Sequence, residues 1–280
     1  MIKNQLSKIH IYFRKDNQPA HHWSEKIRNM IRTKYSRLDF DSVNPDILLI
    51  LGGDGTILEG VKKYHHKSNP LILGFNLGHV GFLSSVREPK KFLYYLDKFL
   101  AKKYIVVERM MLSILVERKG RNIFFSEALN EVVIQNPLGM VDLEARAGGT
   151  IIKQFRGSGV LVATATGSTA YNLSAHGPVI MPTIKCMVMT EIMTHEIPSP
   201  SVIFKYGQKI NIEIKGFRQR GLMAINRKKI DVILITDGGE PVPIEEGDVI
   251  HVESSPHLVK FVELENNYFF KSLKEKFGFK

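Results

Sequence analysis

The sequence predicts an α/β N-terminal domain with a parallel sheet, followed by a β-rich domain of the α+β kind. Three observations support this prediction: a strand, glycine turn and helix near the N-terminus, a second buried strand that ends in another glycine loop, and a change to short alternating strands after about residue 106. At 280 residues the chain is long enough for two hydrophobic cores. We therefore expect one domain at residues 1–106 with 259–280, and a second at residues 107–258.

The strand, turn and helix lie within residues 46–64. The apolar run 47–51 predicts a buried strand, and Ile57, Val61 and Tyr64 recur at the spacing of one helix face. The turn between these elements has the sequence Gly-Gly-Asp-Gly. A parallel α/β unit is therefore expected around it.

This glycine turn predicts a phosphate site. Gly52, Gly53 and Gly55 let backbone N–H groups approach a ligand closely, and the helix that opens at Thr56 favours anions at its N-terminus. The one side chain inside the turn, that of Asp54, is a carboxylate, which repels phosphate unless a cation intervenes or a proton is to be taken. It indicates magnesium handling or general base catalysis. The alternative is a tight turn in which Asp54 only accepts local backbone N–H groups.

Neighbouring elements extend the parallel pattern. Residues 8–13 predict the first strand, and apolar residues at i, i+4, i+7 and i+8 from Trp23 predict a helix that leads to the strand 47–51 by a right-handed crossover. Residues 71–75 predict another buried strand, which ends in the second glycine loop at 76–83. Because ligands bind outside the carboxyl ends of parallel strands, the two glycine loops are expected to face one crevice.

After residue 106 the alternation of apolar residues predicts a largely antiparallel domain. The expected strands are 112–116, 128–134, 142–146, 150–155, 210–214, 222–225, 230–235, 249–252 and 258–262, with a turn at 237–239. A last helix is expected around Tyr268, Phe269 and Leu273.

Two polar features of this second domain are candidate binding residues. A Thr/Ser-rich turn at 164–174 is either a helix start capped by Ser168 or Thr169, or a lip that hydrogen-bonds a sugar or base, with Tyr171 available for stacking. Asn130 and Glu131 lie inside the expected strand 128–134. A carboxylate buried there costs on the order of several kcal/mol unless it is paired or meets a ligand. An edge position of this strand is the alternative.

Composition narrows the class of partner. The net charge of +11 suits anionic ligands in general, but the basic residues are dispersed, which argues against a nucleic-acid binder. One cysteine, Cys186, cannot form an internal disulfide, and neither Cys-x-x-Cys nor His-Glu-x-x-His indicates a zinc site. No apolar run approaches the roughly 18 residues of a membrane span, and the first ten residues lack the apolar core of a signal peptide. A cytoplasmic protein without a membrane or nucleic-acid partner is expected.

Four motifs occur in order: GGDGT at 52–56, GFNLGHVGFL at 74–83, NEVV at 130–133 and ATGSTAYNLSAHGP at 165–178. Together they resemble the NAD kinase family, whose members transfer the γ-phosphoryl group of ATP to the 2′-hydroxyl of the adenosine ribose of NAD and so make NADP. The first motif is shared with diacylglycerol and sphingosine kinases, whereas the last is characteristic of NAD kinases. The resemblance covers about residues 46–262.

The resemblance implies residue roles. Asp54 would orient or deprotonate the ribose 2′-hydroxyl, the glycine turn would receive phosphate, and Asn130 with Glu131 would contact ribose and adenosine. The residues that would bind substrates are Gly52, Gly53, Gly55, Thr56, Asn76, Phe82, Asn130, Glu131, Ser158, Thr166, Thr169, Ala170, Tyr171 and Ser174. ATP and NAD would be the substrates, with Mg²⁺ or another divalent cation. No residue is assigned as a metal ligand.

The sequence departs from the family at two positions. Ser158 stands where members usually carry an aspartate that helps to hold the nicotinamide end, which leaves the preference between NAD and NADH open. Ala165 replaces a usual proline and should loosen the lip slightly. Two other functions remain: a lipid kinase of the diacylglycerol or sphingosine type, and a non-catalytic NAD(P)-binding regulatory protein. The donor, ATP or polyphosphate, and the oligomer, homodimer or homotetramer, also stay open.

Overall fold

The structure, a computed structural model, describes residues 6–78, 81–195, 197, 199–225, 228–265 and 267–278. Contacts divide the chain into two units, Met1–Glu108 with Val259–Lys280, and Arg109–Leu258. Among the described residues the helices are α1 (Gln18–Lys34), α2 (Asp54–Tyr64), α3 (Phe92–Leu100), α4 (Tyr171–Ser174) and α5 (Tyr268–Phe277), with 3-10 turns at Pro89–Lys91 and Gly167–Thr169. None of these helices is both long enough and apolar enough to cross a membrane.

The strands, in chain order, are β1 (Lys8–Tyr12), β2 (Asp39–Phe40), β3 (Ile47–Leu51), β4 (Leu71–Phe75), β5 (Ile105–Arg118), β6 (Arg121–Ala128), β7 (Glu131–Gln135), β8 (Val141–Ala147), β9 (Thr150–Thr164), β10 (Cys186–Thr194), β11 (Val202–Lys205), β12 (Ile210–Phe217), β13 (Met223–Ile225), β14 (Lys228–Ile230), β15 (Val232–Thr236), β16 (Val242–Ile244) and β17 (Val249–Glu263).

The first unit is a parallel α/β domain, which confirms the predicted class. Its strands lie in the order β2-β1-β3-β4, followed by the last residues of β17, and every pair is parallel. Since β3 is central, all five of its residues are buried. The carboxyl end of β3 leads directly into α2, which begins at Asp54, two residues before the expected start.

The second unit is a β-rich domain, as predicted. Its main sheet has the order β16-β15-β7-β9-β8-β12, followed by the first residues of β17. Neighbouring strands are antiparallel, and β10 pairs with β9 on the branch that carries β11. Alternating apolar side chains of these strands, among them Val132, Val162 and Leu234, form the core.

The expected strand at 128–134 is confirmed only for residues 131–134, which lie in β7. β6 ends at Ala128 and β7 begins at Glu131, so the chain bends at Leu129 and Asn130. Asp237 causes this bend, because its carboxylate accepts the backbone N–H groups that a continuous strand would give to a neighbour. The edge alternative is also excluded, since β7 lies between β15 and β9.

Other strand boundaries differ from the expected ones. β17 joins the expected strands 249–252 and 258–262, β9 extends the expected strand 150–155 to Thr164, and the expected strand at 230–235 is interrupted at Asp231. β10 and β11 were not predicted. These differences arise where strand partners distant in sequence override local turn-type residues.

Candidate functional site

The carboxylate of Asp54 is fixed at the N-terminus of α2. Its Oδ2 accepts the N–H of Phe82 at 2.8 Å, and its Oδ1 accepts the N–H of Leu83 at 3.3 Å. Gly53 is the N-cap, so Asp54 is the first helical residue and lies half-buried at the positive end of the helix dipole. The second glycine loop therefore binds the acid of the first.

Two glycines allow this close arrangement. At Gly81 a Cβ would lie 2.1 Å from Oδ1 of Asp54, and at Gly52 a Cβ would lie 2.5 Å from Oγ1 of Thr56. Both distances are far below van der Waals contact, so any larger side chain would displace the acid or the helix start. The glycines serve packing here as much as ligand approach.

A cavity of about 400 Å³ opens beside the helix start. Its lining residues are Arg14, Asp16, Asn17, Gly53, Gly55 and Thr56. The first-turn N–H groups of a helix have no intrahelical acceptor, which suits an anion at this position. The sequence analysis missed Arg14 because it follows β1, 38 residues before the turn. Its guanidinium forms a bidentate pair with Glu59.

Two of the expected binding residues in this unit play supporting roles. Asn76 is only 2% exposed, and its Oδ1 accepts the N–H of Gly78 at 2.7 Å, closing the turn after β4. Phe82 is also buried, and its ring packs against Phe269 and Phe277. The part of the loop at residues 79 and 80 lies outside the described residues.

Helix α5 supports the loop that holds Asp54. The hydroxyl of Tyr268 lies 2.6 Å from Oγ of Ser84 and accepts a hydrogen bond from Nε of Arg87 at 3.0 Å. Arg87 also pairs with Glu275. Burial raises the pKa of Tyr268, and the negative charge of Asp54 acts in the same direction. Ser84, Arg87 and Tyr268 thus form a hydrogen-bonded layer that supports the loop holding Asp54.

In the second unit, Asp237 holds the Asn130–Glu131 pair. Its Oδ1 accepts the N–H of Asn130 at 2.7 Å and that of Glu131 at 3.2 Å, while its Oδ2 accepts the N–H of Leu129 at 2.7 Å. Asp237 itself has a left-handed backbone, with φ of 49°, as the turn at 237–239 requires. The sequence indicated this turn but not the residues that its carboxylate contacts.

Glu131 is buried and incompletely hydrogen-bonded. It is 7% exposed, and its Oε2 has no hydrogen-bond partner among the described residues. Burial, with the nearby charge of Asp237, raises the pKa of Glu131 to about 8, although the backbone N–H of Tyr171 acts in the opposite direction. At neutral pH most of the carboxyl is therefore protonated and can donate a hydrogen bond as well as accept one.

The lip lies directly against this pair. A Cβ at Gly167 would lie 2.2 Å from the carbonyl oxygen of Asn130, and the same oxygen accepts the N–H of Thr164 at 2.8 Å. The structure thereby brings together Asn130, Glu131 and the lip. Of the expected lip residues, Thr166 and Thr169 are buried, Ala170 is half-buried, and Tyr171 and Ser174 are exposed.

Ser168 and Thr169 do not cap a helix, contrary to that interpretation of the lip. The N-cap of α4 is Ala170, with no side-chain cap. Oγ of Ser168 instead donates to the carbonyl of Ala165 at 2.7 Å and accepts the N–H of Ile180 at 2.9 Å. The hydroxyl of Ser168 therefore links the lip to the segment that follows it, because it bonds both the N–H and the carbonyl of Ile180.

Asn172 is a structural residue that the sequence analysis missed. It is fully buried and donates from Nδ2 to the carbonyls of Ser168 and Pro178, while its Oδ1 accepts from Oγ1 of Thr190. A Cβ at Gly177 would lie 2.1 Å from this Oδ1. The three hydrogen bonds of the Asn172 amide fix the lip. The position of Asn172 inside the motif at 165–178 was the sequence signal that could have identified it.

Within this unit Ser158 lies away from Asn130, Glu131 and the lip. It lies on β9, and its carbonyl accepts the N–H of Asn136 at the far end of β7. Glu131 pairs with Ala163, five residues further along β9, so Ser158 and Glu131 are separated by about 17 Å of strand. Ser158 instead lines a separate cavity.

Known proteins resemble this chain in sequence along most of its length. The ATP-NAD kinase N-terminal domain matches residues 3–104, and the ATP-NAD kinase C-terminal domain matches residues 129–264. NAD kinase of Symbiobacterium thermophilum is 38% identical over 82% of this chain and 78% of its own length, and that of Carboxydothermus hydrogenoformans is 31% identical over 86% and 82%.

Two solved structures have a similar fold. Yeast NADH kinase, complexed with NADH, superposes with a TM-score of 0.87 at 22% identity, covering 99% of this chain and 89% of that one. An NAD kinase from Archaeoglobus fulgidus, in complex with ATP, gives a TM-score of 0.72 at 24% identity and 97% coverage of both chains. At these identities the likeness concerns the fold. With both family domains matched over most of its length, the chain belongs to the ATP-NAD kinase family.

Proposed function

We propose that Asp54 orients or deprotonates the 2′-hydroxyl of the adenosine ribose while the phosphates of ATP lie at the glycine turn. As a member of the ATP-NAD kinase family, the chain is an enzyme that phosphorylates NAD with ATP. The observation that carries the assignment of Asp54 is its geometry: a carboxylate held by two backbone N–H groups at a helix start that is suited to phosphate.

Fixing this acid serves phosphoryl transfer. The reaction depends mostly on positioning and on charge neutralisation, so a carboxylate at one fixed place contributes by aligning the attacking hydroxyl. The N–H bonds from Phe82 and Leu83 leave little freedom of rotation to Asp54. Arg14 lines the same cavity, where its guanidinium is paired with Glu59.

The donor side fits a hard divalent cation. Asp16 and Asn17 line the cavity together with Gly53 and Gly55, which flank Asp54 in the chain, and Mg²⁺ is bound in such sites by one or two carboxylates together with substrate phosphates. When bound with ATP, the cation would neutralise charge on the phosphate oxygens. These residues would hold the cation. Asp54 is already fixed by the backbone N–H groups of Phe82 and Leu83.

On the acceptor side, we assign ribose and adenosine contacts to Asn130 and Glu131 and adenine contacts to the lip. The unpartnered Oε2 of Glu131 supports this role, because a buried carboxyl oxygen without a partner is costly unless a ligand hydroxyl completes its hydrogen bonds. Since most of the group is protonated near pH 7, it can donate to one sugar hydroxyl. The exposed ring of Tyr171 is available for stacking.

Three further sequence-based predictions accompany this proposal: dependence on Mg²⁺, a cytoplasmic location, and assembly as a homodimer or homotetramer. They are tested respectively by titration of the cation against activity, by fractionation of cells, and by light scattering of the purified protein.

The primary test is NADP formation by the purified protein with ATP, Mg²⁺ and NAD, with NADH as a parallel acceptor. Asp54→Asn is expected to lower kcat by about 10²- to 10⁴-fold, the usual contribution of a positioned acid or base, while NAD still binds. Asp39→Asn, at an exposed position of β2, is the matched control. Full activity of Asp54→Asn would disprove the role, and NAD binding by the wild type without turnover would indicate a non-catalytic protein.

A further inference from the structure

Arg14 and Glu59 form an ion pair at the edge of the cavity beside α2. Nε of Arg14 donates to both carboxylate oxygens of Glu59, each at 3.1 Å, and Nη2 of Arg14 also pairs with Oε1. Arg14 lines the cavity, whereas Glu59 is not among the lining residues. The carboxylate therefore holds the guanidinium from outside the cavity, and none of the residue roles assigned above involves this acid.

Stability does not account for the pair. The side chains of Arg14 and Glu59 are 52% and 42% exposed, and ion pairs in contact with water contribute little to the free energy of unfolding. The effect of the pair is on conformation. A free arginine side chain samples many rotamers, and the bonds to Glu59 restrict Arg14 to one arrangement beside the cavity.

This arrangement leaves N–H groups of Arg14 available near the glycine turn. Nη2 lies 3.8 Å from the position of a Cβ on Gly55, the second residue of α2. Glu59 follows one helical turn later on the same face of α2, because residues at i and i+4 are neighbours on a helix. Nη1 of Arg14 forms no hydrogen bond with any residue that the structure describes. These donors lie where a phosphate is expected.

The backbone that carries Arg14 is also fixed. Its carbonyl accepts the N–H of Asn17 at 3.0 Å, and Oδ1 of Asn17 caps α1 by accepting the N–H of Ala20 at 3.1 Å. Asn17 and Gly53, the N-cap residues of α1 and α2, both line the cavity. Two positive helix ends and one guanidinium group therefore border the same cavity, which suits a chain of several phosphates.

We propose that Glu59 is a positioning residue, which orients Arg14 so that its free N–H groups donate to phosphate oxygens of bound ATP. The inference rests on the proposed position of the ATP phosphates at the glycine turn. Ordering the arginine beforehand favours binding, because less conformational freedom is lost when the phosphate arrives. Repulsion between Glu59 and phosphate opposes this effect, but it is screened, because the carboxylate is exposed to solvent and already paired.

The test is calorimetric titration of the full chain with ATP and Mg²⁺ in the absence of NAD. Arg14→Ala is expected to weaken ATP binding about tenfold or more, and Glu59→Gln about three- to tenfold, because charge-assisted hydrogen bonds to phosphate are lost or loosened. Since Glu59 acts through Arg14, the double variant should bind ATP as Arg14→Ala does. In turnover assays the KM for ATP should rise more than kcat falls in both single variants.

Arg37→Ala and Glu25→Gln are the matched controls. Both residues are exposed, belong to the same unit and form no ion pair with any described residue, so their variants should bind ATP as wild type does. Circular dichroism establishes that every variant is folded. Equal weakening by the controls would mean that only overall charge matters, and would overturn the proposal.

Three other results would also overturn it. Tighter ATP binding by Glu59→Gln would show that the acid competes with phosphate for Arg14. Unchanged binding by either single variant would remove the contact or the positioning, and additive losses in the double variant would show that Glu59 acts independently of Arg14.

Asp54→Asn separates this inference from the proposed function. If kcat collapses in Asp54→Asn while Arg14→Ala binds ATP as wild type does, the role of Asp54 stands and the positioning role of Glu59 fails. If neither substitution has an effect, the position assigned to the ATP phosphates is itself wrong.

Discussion

Gly81 and Asp54 are packed so closely that a Cβ on the glycine would lie 2.1 Å from Oδ1 of the acid. We expect Gly81→Ala to move the carboxylate and to lower kcat by about 10²-fold, the scale of effect that a misplacement of about 1 Å produces. Gly78→Ala is the matched control, because a Cβ there would meet Oδ1 of Asn76 at an ordinary 3.6 Å. Steady-state NADP formation measures both variants, and equal activities would contradict the packing argument.

Asp237→Asn tests the anchor of the Asn130–Glu131 pair. An amide keeps the shape but loses the charge and one acceptor, so the N–H groups of Leu129 and Asn130 are less well satisfied. We expect the free energy of unfolding to fall by about 1–3 kcal/mol and NAD affinity to fall with it. Asp142→Asn, at a half-exposed carboxyl, is the control. Urea unfolding measures the free energy of unfolding, and titration with NAD measures the affinity. If both are unchanged in Asp237→Asn, the anchoring role is refuted.

Burial of Glu131 predicts a pH dependence of stability. The pKa of Glu131 is about 8 in the folded chain against the ordinary value of 4.5, so between these limits the folded state binds more protons than the unfolded state. The free energy of unfolding therefore decreases as pH rises from about 4.5 to about 8, by at most about 1.4 kcal/mol per pH unit from this group. Glu131→Gln should remove that decrease and be more stable than wild type at pH 9.

Urea unfolding at pH 5, 7 and 9 measures this effect. Glu246→Gln, an exposed position in the same unit, should keep the wild-type pH profile. A Glu131→Gln profile parallel to that of wild type would mean that the carboxyl titrates normally.

Tyr268→Phe removes the hydroxyl that Ser84 and Arg87 share behind the Asp54 loop. We expect a loss of about 1–3 kcal/mol in unfolding free energy, because buried donors lose a partner, and a several-fold lower kcat as the loop loosens. Tyr94→Phe, on a side chain that is 65% exposed, should change neither quantity. Thermal melting and turnover are measured together; a stability loss with full turnover would show that the layer does not position the acid.

Local patterns were sufficient to predict the donor half of the site. The apolar run before residue 52, the glycine turn and the helical spacing after it are all contained in one short stretch, so the strand, the helix and Asp54 were predictable. Arg14 was not, because only the parallel pairing of β1 with β3 brings the segment after β1 beside the turn.

The acceptor half depended on distant contacts. Asn130 and Glu131 were named as candidates, but the strand predicted for them is interrupted, because Asp237, over 100 residues later, bends the chain there. Gly157 and Gly159 lie within β9, and a Cβ at Gly159 would lie 2.1 Å from the carbonyl oxygen of Ile134 on the neighbouring strand. β10 carries β-branched residues at alternate positions, Val188, Thr190, Ile192 and Thr194, so a strand signal was present in the sequence but was not used.

The hydrogen bond between Ser84 and Tyr268 joins residues 184 positions apart. At synthesis rates of 5–20 residues per second, roughly 10 to 40 s pass between the appearance of the Asp54 loop and that of the tyrosine behind it. During this interval the nascent chain carries the glycine turn and the acid without their support. A ribosome that stalls before α5 therefore yields a chain with every reactive group of the donor half but with the loop unsecured, and such products are natural targets for chaperones and proteases.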